Sequence, residues 1–195
     1  TLFPYTTLFR SQQFDASASN QNFSGVLTIA YKASEKFNAY ATYSTSYKPI
    51  GLNLGGLPTQ NGEVMKDLAL VKPEFVSHAE LGFKSAPTKK SFLNVTVHAT
   101  EIKDYQTLVQ TPEIGVNRGY LSNAELVRVI GAELDGGIRI GSSFTLSGSF
   151  AYTDGKYIKF TNAPVPIEEV GGTQSFKDIS GSVLPGISKY AGSLN

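Results

Sequence analysis

The sequence predicts an all-β fold: an antiparallel up-and-down meander that forms part of a transmembrane β-barrel. Three observations predict it. Apolar and polar side chains alternate along several segments, short and long connections follow each other in turn, and no apolar run is long enough for a membrane helix. A membrane-spanning segment of this chain could therefore only be a barrel strand. The composition agrees, because charged residues make up only 17% while Gly, Ser, Thr, Tyr and Phe are plentiful.

The first eleven residues differ in character from the rest of the chain. Residues 1–11, TLFPYTTLFRS, read like a translated sequencing adapter rather than a strand or a signal peptide. The alternative is a genuine N-terminal strand. We expect residues 1–11 to be such an artefact and to lie outside the fold, and residues 12–195 to form the barrel portion.

Three hairpins with short turns follow in order. In each of them a single register brings apolar residues opposite apolar residues, because side chains alternate between the two faces of a strand. The first two hairpins are predicted to turn around residues 32–36 and 86–90, and the third around residues 141–143. The expected pairs are Leu27 with Ala41, Ile29 with Ala39, Leu81 with Val95, Phe83 with Leu93, and Leu134 with Phe150.

The third hairpin, residues 132–153, shows the two faces most clearly. Its even positions form an apolar face with aromatic residues near the ends, at Phe144, Phe150 and Tyr152, and its odd positions are polar and mostly small. The aromatic ends lie roughly 20 Å apart along a tilted strand pair, close to the height of the apolar band of an outer-membrane barrel. We therefore expect the apolar face to contact lipid and the polar face to line the lumen.

Long polar connections separate the hairpins, at residues 48–72, 104–123 and 154–188. Because they alternate with the short turns, all long loops should lie at one end of the sheet and all short turns at the other, as in transmembrane barrels. A last strand is predicted from residue 189, which gives seven strands and no helix. A soluble β-sandwich also alternates, but a polar face rich in Ser, Thr, Gly and Asn and the one-sided long loops favour the barrel.

Several segments resemble the C-terminal part of the barrel of TonB-dependent outer-membrane receptors of the iron-complex or siderophore class. The phrases that carry the resemblance, in their order and spacing, are FNAYATYSTSYKPIGLN, KPEFVSHAELGFKS, IKDYQ, GVNRGYLSNAELVRVIGAELD and FTLSGSFAYTDGK. The sequence departs from the family pattern at residues 130–132. The resemblance implies a barrel of about 22 strands with a plugged lumen. It also implies that the plug domain, the TonB box and the C-terminal strands are missing from this chain.

The resemblance further implies active transport of a ferric siderophore or a similar scarce nutrient across the outer membrane of a bacterium, energised by TonB. The implied partners are outer-membrane lipid and lipopolysaccharide, the ligand, and the TonB complex through the plug. The alternatives are an outer-membrane porin or a barrel enzyme. A soluble carbohydrate-binding β-sandwich is a third alternative, which fits the sequence less well. We predict no enzyme activity and no cofactor. A net charge of +1 with no basic block argues against a nucleic-acid partner.

Four residues are predicted to contact the ligand, because they stand where strands give way to external loops. They are Tyr47, Lys48, Arg118 and Tyr120. Arg, Lys and Tyr suit anionic, oxygen-rich ferric chelates, through charge-assisted hydrogen bonds and flat stacking surfaces. The alternative roles are an interfacial aromatic girdle for the two tyrosines and contacts with lipopolysaccharide phosphates for the two cations.

Two groups of polar residues on the predicted lumen face are candidates for chemical sites. The expected register places His78 opposite His98, where two imidazoles could bind a metal or respond to pH, but no third ligand is evident. Glu133, Asp135 and Arg139 share one strand face, which could support acid–base chemistry. A wall that contacts the plug explains both groups better, so we predict no catalytic, cofactor-binding or metal-binding residues. The absence of Cys also excludes thiolate metal sites.

Overall fold

The computed structural model describes residues 17–55, 57–60, 63–116 and 118–195. In chain order its strands are β1 (Gly25–Ser34), β2 (Phe37–Lys48), β3 (Gly51–Leu52), β4 (Thr59–Gln60), β5 (Glu63–Val64), β6 (Leu70–Val71), β7 (Glu74–Thr88), β8 (Ser91–Gln110), β9 (Gly119–Ile140), β10 (Phe144–Lys159), β11 (Ala163–Pro164), β12 (Phe176–Lys177) and β13 (Tyr190–Leu194). Short 3-10 turns lie at Lys66–Ala69 and Ile167–Glu169. Neither these turns nor any other helical segment in the described ranges is long and apolar enough to cross a membrane. The prediction for residues 1–11 concerns residues outside these ranges and stays a prediction.

Seven long strands form one antiparallel sheet in the order β1-β2-β7-β8-β9-β10-β13. Each strand pairs with the next long strand along the chain, so the sheet is a meander without crossovers. The shorter strands pair only with each other, inside the connections. The predicted all-β, up-and-down fold with seven strands is confirmed.

The two faces of the sheet differ in chemistry, as the alternation predicts. On one face, which we call the apolar face, large apolar side chains are 44–66% exposed; among them are Ile29, Leu81, Val97, Leu134 and Phe150. The opposite polar face carries Thr42, Glu80, His98, Glu133 and Ser149. A continuous apolar surface that no other described part of the chain covers is typical of a face that contacts lipid or a partner.

β8 and β9 extend well beyond the strands beside them. Pairing between β7 and β8 ends at Phe75 and Lys103, whereas pairing between β8 and β9 continues to Gln110 and Gly119. We call residues 104–125 the projecting hairpin. The predicted long connection at residues 104–123 is therefore mostly strand, and the irregular connection spans only residues 111–118. The predicted loop boundaries were wrong because turn-forming residues alone indicated a long loop, whereas the pairing of β8 with β9 continues close to those residues on both sides.

The first two hairpins pair two residues out of the predicted register. Leu27 lies opposite Tyr43 and Ile29 opposite Ala41, while Leu81 lies opposite Val97 and Phe83 opposite Val95. The reason is that the turns lie at residues 35–36 and 89–90, nearer the second strand than predicted, which alone would move the pairing by three positions. A β-bulge beside each turn, between Lys32 and Ser34 and between Ser85 and Thr88, offsets one of these positions. A shift of two residues keeps every side chain on its predicted face.

The third hairpin has the predicted register. Leu134 lies opposite Phe150, and the turn occupies residues 141–143, with Gly141 in the left-handed region at φ 65°. Regular pairing starts directly at Ile140 and Phe144, so no bulge displaces the two strands near the turn. The last strand, β13, begins at Tyr190, one residue later than predicted.

Candidate functional site

Three connections gather around the projecting hairpin at one end of the sheet. They are residues 49–73, 111–118 and 160–189, which we call the first, second and third loops. The register of the projecting hairpin assigns its side chains to two sides: Gln106, Asn123, Leu108 and Leu121 lie on one side, and Tyr105, Ala124, Val109 and Tyr120 on the other. The first loop contacts the first side and the third loop contacts the second, so the hairpin lies between two loops.

Gln106 fixes both ends of the first loop to β8. Its side-chain Nε2 donates to the backbone oxygens of Pro49 at 2.8 Å and Lys72 at 3.0 Å, which stand at the beginning and the end of that loop. Its backbone N–H donates to Oε2 of Glu74 at 2.9 Å. Gln106 is only 5% exposed, and these partners satisfy the polar groups that burial removes from water.

Two asparagines complete the attachment of the first loop. Asn123 Nδ2 donates to the backbone oxygen of Lys72 at 3.1 Å, and its Oδ1 accepts the N–H of the same residue at 2.9 Å. Asn53, buried within the loop, accepts the N–H of Leu121 at 2.7 Å and donates to the oxygens of Leu121 and Leu68. Asn53 thus pairs with the β9 backbone as a neighbouring strand would, at a position beyond the end of β10.

An apolar cluster attaches the third loop to the other side of the hairpin. Its buried members are Ala124, Val127, Tyr157, Phe160, Ala163 and Leu184, and Tyr105 and Val109 pack against them. The third loop also runs back beside β10 and is hydrogen-bonded to it. The N–H of Tyr157 donates to Ser182 O at 2.9 Å, and the N–H of Leu184 donates to Gly155 O at 3.0 Å. A side chain at Gly155 would meet Ile187 and Leu184, so this close approach requires glycine.

The second loop, at the tip of the hairpin, contacts both of the others. Its Glu113 carboxylate accepts hydrogen bonds from the backbone N–H and the hydroxyl of Thr59 in the first loop. Ile114 lies against Gly171 of the third loop. Its two ends are closed by Thr111, whose N–H and hydroxyl both donate to the backbone oxygen of Arg118. The three loops therefore form one connected surface.

Burial and hydrogen bonding change the ionisation of groups in this loop cluster. Burial raises the pKa of Tyr120 to about 12. At Glu125 burial opposes ionisation, but hydrogen bonds from Thr161 outweigh it and lower the pKa of the carboxyl. Hydrogen bonds from Ser180 lower the pKa of Asp178 in the third loop. The two carboxylates are therefore stabilised in their charged form and can hold their neighbouring backbone in place at neutral pH.

The four residues predicted to contact ligand have different environments. Arg118 is exposed beside the second loop and makes no ion pair with any residue in the described ranges. Lys48 is exposed at the end of β2, and the half-buried Tyr47 lies opposite Phe75 on the apolar face. Tyr120 is only 3% exposed, so its ring packs inside the loop cluster and is not presented to an external ligand. In the part of the chain that the structure describes, no hydrogen bond or ion pair joins Tyr47 or Lys48 to Arg118 or Tyr120.

The two histidines are neighbours, although not directly opposite each other. His78 lies opposite Thr100, whose hydroxyl is 2.8 Å from Nδ1, and His98 lies opposite Glu80. The predicted register is wrong by two residues, because the turn lies at residues 89–90 and not around Thr88, but the ring centroids of His78 and His98 are still 6.0 Å apart. Within the described ranges, no group of three or more His, Asp or Glu side chains has a geometry that could hold a metal ion.

The charged residues of the third hairpin have separate partners. Asp135 accepts a hydrogen bond from Asn94 at 3.1 Å, and Arg139 donates to the backbone oxygen of Ser142 in its own turn at 2.9 Å. These contacts suit a polar wall. They do not bring an acid and a base together around a common point.

The sequence-based reasoning missed the residues that position the loops. Gln106, Asn123 and Asn53 each contact at least one residue that is more than 50 positions away, namely 57, 51 and 68 positions, so local pattern could not reveal them. One signal was available. Gln106 and Asn123 lie within the phrases IKDYQ and LSNAEL, where an amide interrupts segments that otherwise read as strands.

Comparisons with known proteins agree with this architecture. The family model described as TonB dependent receptor-like, beta-barrel matches residues 3–195. No curated protein matches the chain. Among solved structures, the ferric yersiniabactin uptake receptor FyuA from Yersinia pestis is similar at 21% identity and a TM-score of 0.59, covering 87% of this chain and 22% of that receptor.

Two further solved structures share the fold. The copper transporter OprC has 17% identity and a TM-score of 0.57 over 69% of this chain and 20% of its own. The ferric-catecholate import receptor Fiu from E. coli K12 has 19% identity and a TM-score of 0.50 over 88% of this chain and 21% of its own. At these identities the likeness shows the fold alone. The chain spans about a fifth of the length of each of these proteins.

Proposed function

The chain belongs to the TonB-dependent receptor β-barrel family, and from this premise we propose that it forms part of a bacterial outer-membrane transporter that takes up a ferric siderophore or a similar scarce nutrient. We propose that uptake draws its energy through TonB, by way of a plug domain inside the lumen. In this proposal the chain is a transporter wall and not an enzyme.

One observation carries the proposal: the sheet is apolar and exposed on one face, and all its long loops gather at one end. An exposed apolar face is unfavourable in water but is what the outer wall of a barrel presents to lipid. Long loops at a single end are what an external ligand-binding surface requires. A soluble sandwich would instead cover its apolar face with a second sheet.

Within that surface we propose Arg118 and Lys48 as ligand contacts, with Tyr47 next to Lys48 at the membrane boundary. Arg118 is exposed and has no ion-pair partner in the described ranges, so its guanidinium can form charge-assisted hydrogen bonds with an anionic chelate. Lys48 is exposed at the end of β2. Because Tyr120 is buried, we assign it to packing under the second loop and not to ligand contact.

Uptake by whole cells tests the proposal. Cells that lack the full-length gene are complemented with it and given radiolabelled ferric siderophores of the catecholate, hydroxamate and carboxylate types. We expect uptake of at least one of them, and its loss when the gene for TonB is deleted. A passive porin would continue to transport without TonB, which would refute the proposal.

The Arg118 contact is tested separately with R118Q. Loss of a charge-assisted hydrogen bond is expected to raise the KM of uptake about tenfold, with little change in the maximal rate. R139Q is the matched control, because Arg139 carries the same charge at the opposite end of the sheet and bonds only within its own turn. Equal effects of the two variants would exclude a specific role for Arg118 and leave the transport proposal intact.

A further inference from the structure

A pocket on the polar face, at the turn end of the sheet, is lined by cationic and amide side chains, and we propose that it binds a small anion with several carboxylate groups. We call it the lysine pocket; its volume is about 380 Å³, and the residues that define it are Lys32, Lys36, Lys84, Asn38 and Asn94. The inference goes beyond the proposed function, which places the ligand contacts in the loops at the opposite end. It rests on that function only in taking the polar face to border an aqueous lumen.

Strand pairing builds the lysine pocket on one row of polar-face residues. Asn38 of β2 lies between Lys32 of β1 and Lys84 of β7, and Lys84 in turn lies opposite Asn94 of β8. Residues that are directly opposite each other project from the same face of a sheet, and two strand spacings separate Lys32 from Lys84 by about 10 Å. The two asparagines are half-buried and the two lysines are exposed. The amides therefore form the floor of the pocket, and the ammonium groups form its rim.

The remaining sides of the pocket are fixed by the two neighbouring turns. The backbone of Lys36 is held at both ends, since its N–H donates to Ser34 Oγ at 3.2 Å and its carbonyl oxygen accepts the N–H of Ala86 at 2.8 Å. Phe92 forms another side of the pocket. Its ring lies across Gly137, where an added Cβ would be only 2.7 Å from the ring. The third lysine therefore has a defined starting point above the row, next to an apolar surface.

Cations exceed carboxylates in the lysine pocket. Glu35 is the one carboxylate among its lining residues, and it pairs with Lys32 at 2.7 Å. The two side chains are 89% and 62% exposed, so this ion pair is weak and easily exchanged for another anion. Lys36 and Lys84 make no ion pair with any residue that the structure describes. The pocket thus keeps an excess of positive charge.

The spacing of the donors indicates the class of ligand. A compact anion such as phosphate offers its oxygens around one point, whereas the ammonium and amide groups of the pocket are distributed over a wide rim and a floor. An anion with several separate carboxylates can engage them together, and the volume is in the range of small-molecule sites. Along β8, Asn94 lies twelve residues from Gln106, which is about 40 Å. The pocket is therefore a site separate from the proposed contacts at Arg118 and Lys48.

Equilibrium dialysis of the full-length receptor in detergent tests the inference, with radiolabelled citrate as the probe and its uncharged triethyl ester as the matched compound. All proteins carry R118Q, so that this arginine of the loop end does not contribute to binding. The pocket variant is K36Q/K84Q, and the control, K89Q/K90Q, removes the same charge from a neighbouring turn outside the pocket. At about a fivefold loss per exposed lysine, we expect the pocket variant to bind citrate about 25-fold more weakly than the parent, and the control to bind it like the parent.

Two results would overturn the inference: a parent protein that binds citrate no better than the ester, or equal losses in the pocket variant and the control. Heat-modifiable migration on SDS gels establishes that the variants are folded. If K36Q/K84Q does not fold, K36Q alone should still lose about fivefold, because the bonds that hold Lys36 are made by its backbone. If TonB-dependent uptake fails while the citrate preference remains, the proposed function is wrong and the pocket stands. If uptake is normal and the preference is absent, only the inference fails.

Discussion

Replacing Gln106 by Ala should release the first loop from the barrel wall while leaving the third loop in place. Among the residues that the structure describes, the Gln106 side chain is the one group that bonds both ends of the first loop, at Pro49 and Lys72. The backbone bond from its N–H to Glu74 survives the substitution. The third loop is held through the apolar cluster on the other side of the hairpin, which the substitution does not touch.

The size of the effect follows from the two lost hydrogen bonds. Each contributes about 1 kcal/mol net, so the loop should open about 2 kcal/mol more easily. At 1.4 kcal/mol per factor of ten, this corresponds to roughly a thirtyfold larger open population. The cost rises if the two carbonyl groups stay buried without partners, and falls if water reaches them.

Hydrogen–deuterium exchange of the full-length receptor in detergent measures this population, provided that exchange is limited by local opening. Peptides from residues 49–73 should exchange about thirtyfold faster in Q106A, and peptides from residues 160–189 at the wild-type rate. Q110A is the control, because Gln110 is exposed at the end of the same strand. Unchanged protection of the first loop, or equal acceleration of both loops, would refute this account of the attachment.

Two further predictions concern packing and pH. A methyl group at position 82 would overlap the Tyr40 side chain, which supplies its three nearest heavy atoms. G82A should therefore lower the yield of folded barrel, measured as heat-modifiable protein on SDS gels, and Y40A/G82A should recover part of it; equal yields of wild type and G82A would contradict the packing. Burial raises the pKa of Tyr120 to about 12, so its contribution to loop stability is full below pH 10 and is lost as the pH rises towards 12. Exchange protection of the loops should therefore fall over this interval in the wild type by more than in Y120F, and identical profiles would show that Tyr120 does not contribute.

The faces of the sheet could be predicted from the sequence, because alternation depends only on neighbouring positions. Leu134 and Phe150 were paired correctly for the additional reason that their turn closes without a bulge. In the first hairpin the turn lies later than predicted and a bulge before Ser34 offsets only one position of that displacement, so the pairing differs by two positions. A bulge depends on local backbone geometry that hydrophobic patterning does not encode.

The loop cluster could be predicted only as a location. Alternating connection lengths indicated the end of the sheet at which the loops meet, but not that Tyr120 would be buried or that Arg118 would be exposed. Those outcomes depend on contacts between distant segments. The bonds of Gln106 to Pro49 and of Asn123 to Lys72 join segments that no short window of sequence contains.

The side chains that attach the first loop recognise its backbone rather than its side chains. Gln106 and Asn123 bond to main-chain atoms of Pro49 and Lys72, groups that every residue offers at the acceptor positions. Apart from Asn53, whose own side chain bonds to the β9 backbone, the interior of the loop could therefore change its sequence widely while these attachments remain. With such a wall, one loop can be replaced by another while the attachment residues stay the same, and the ligand specificity changes with the loop.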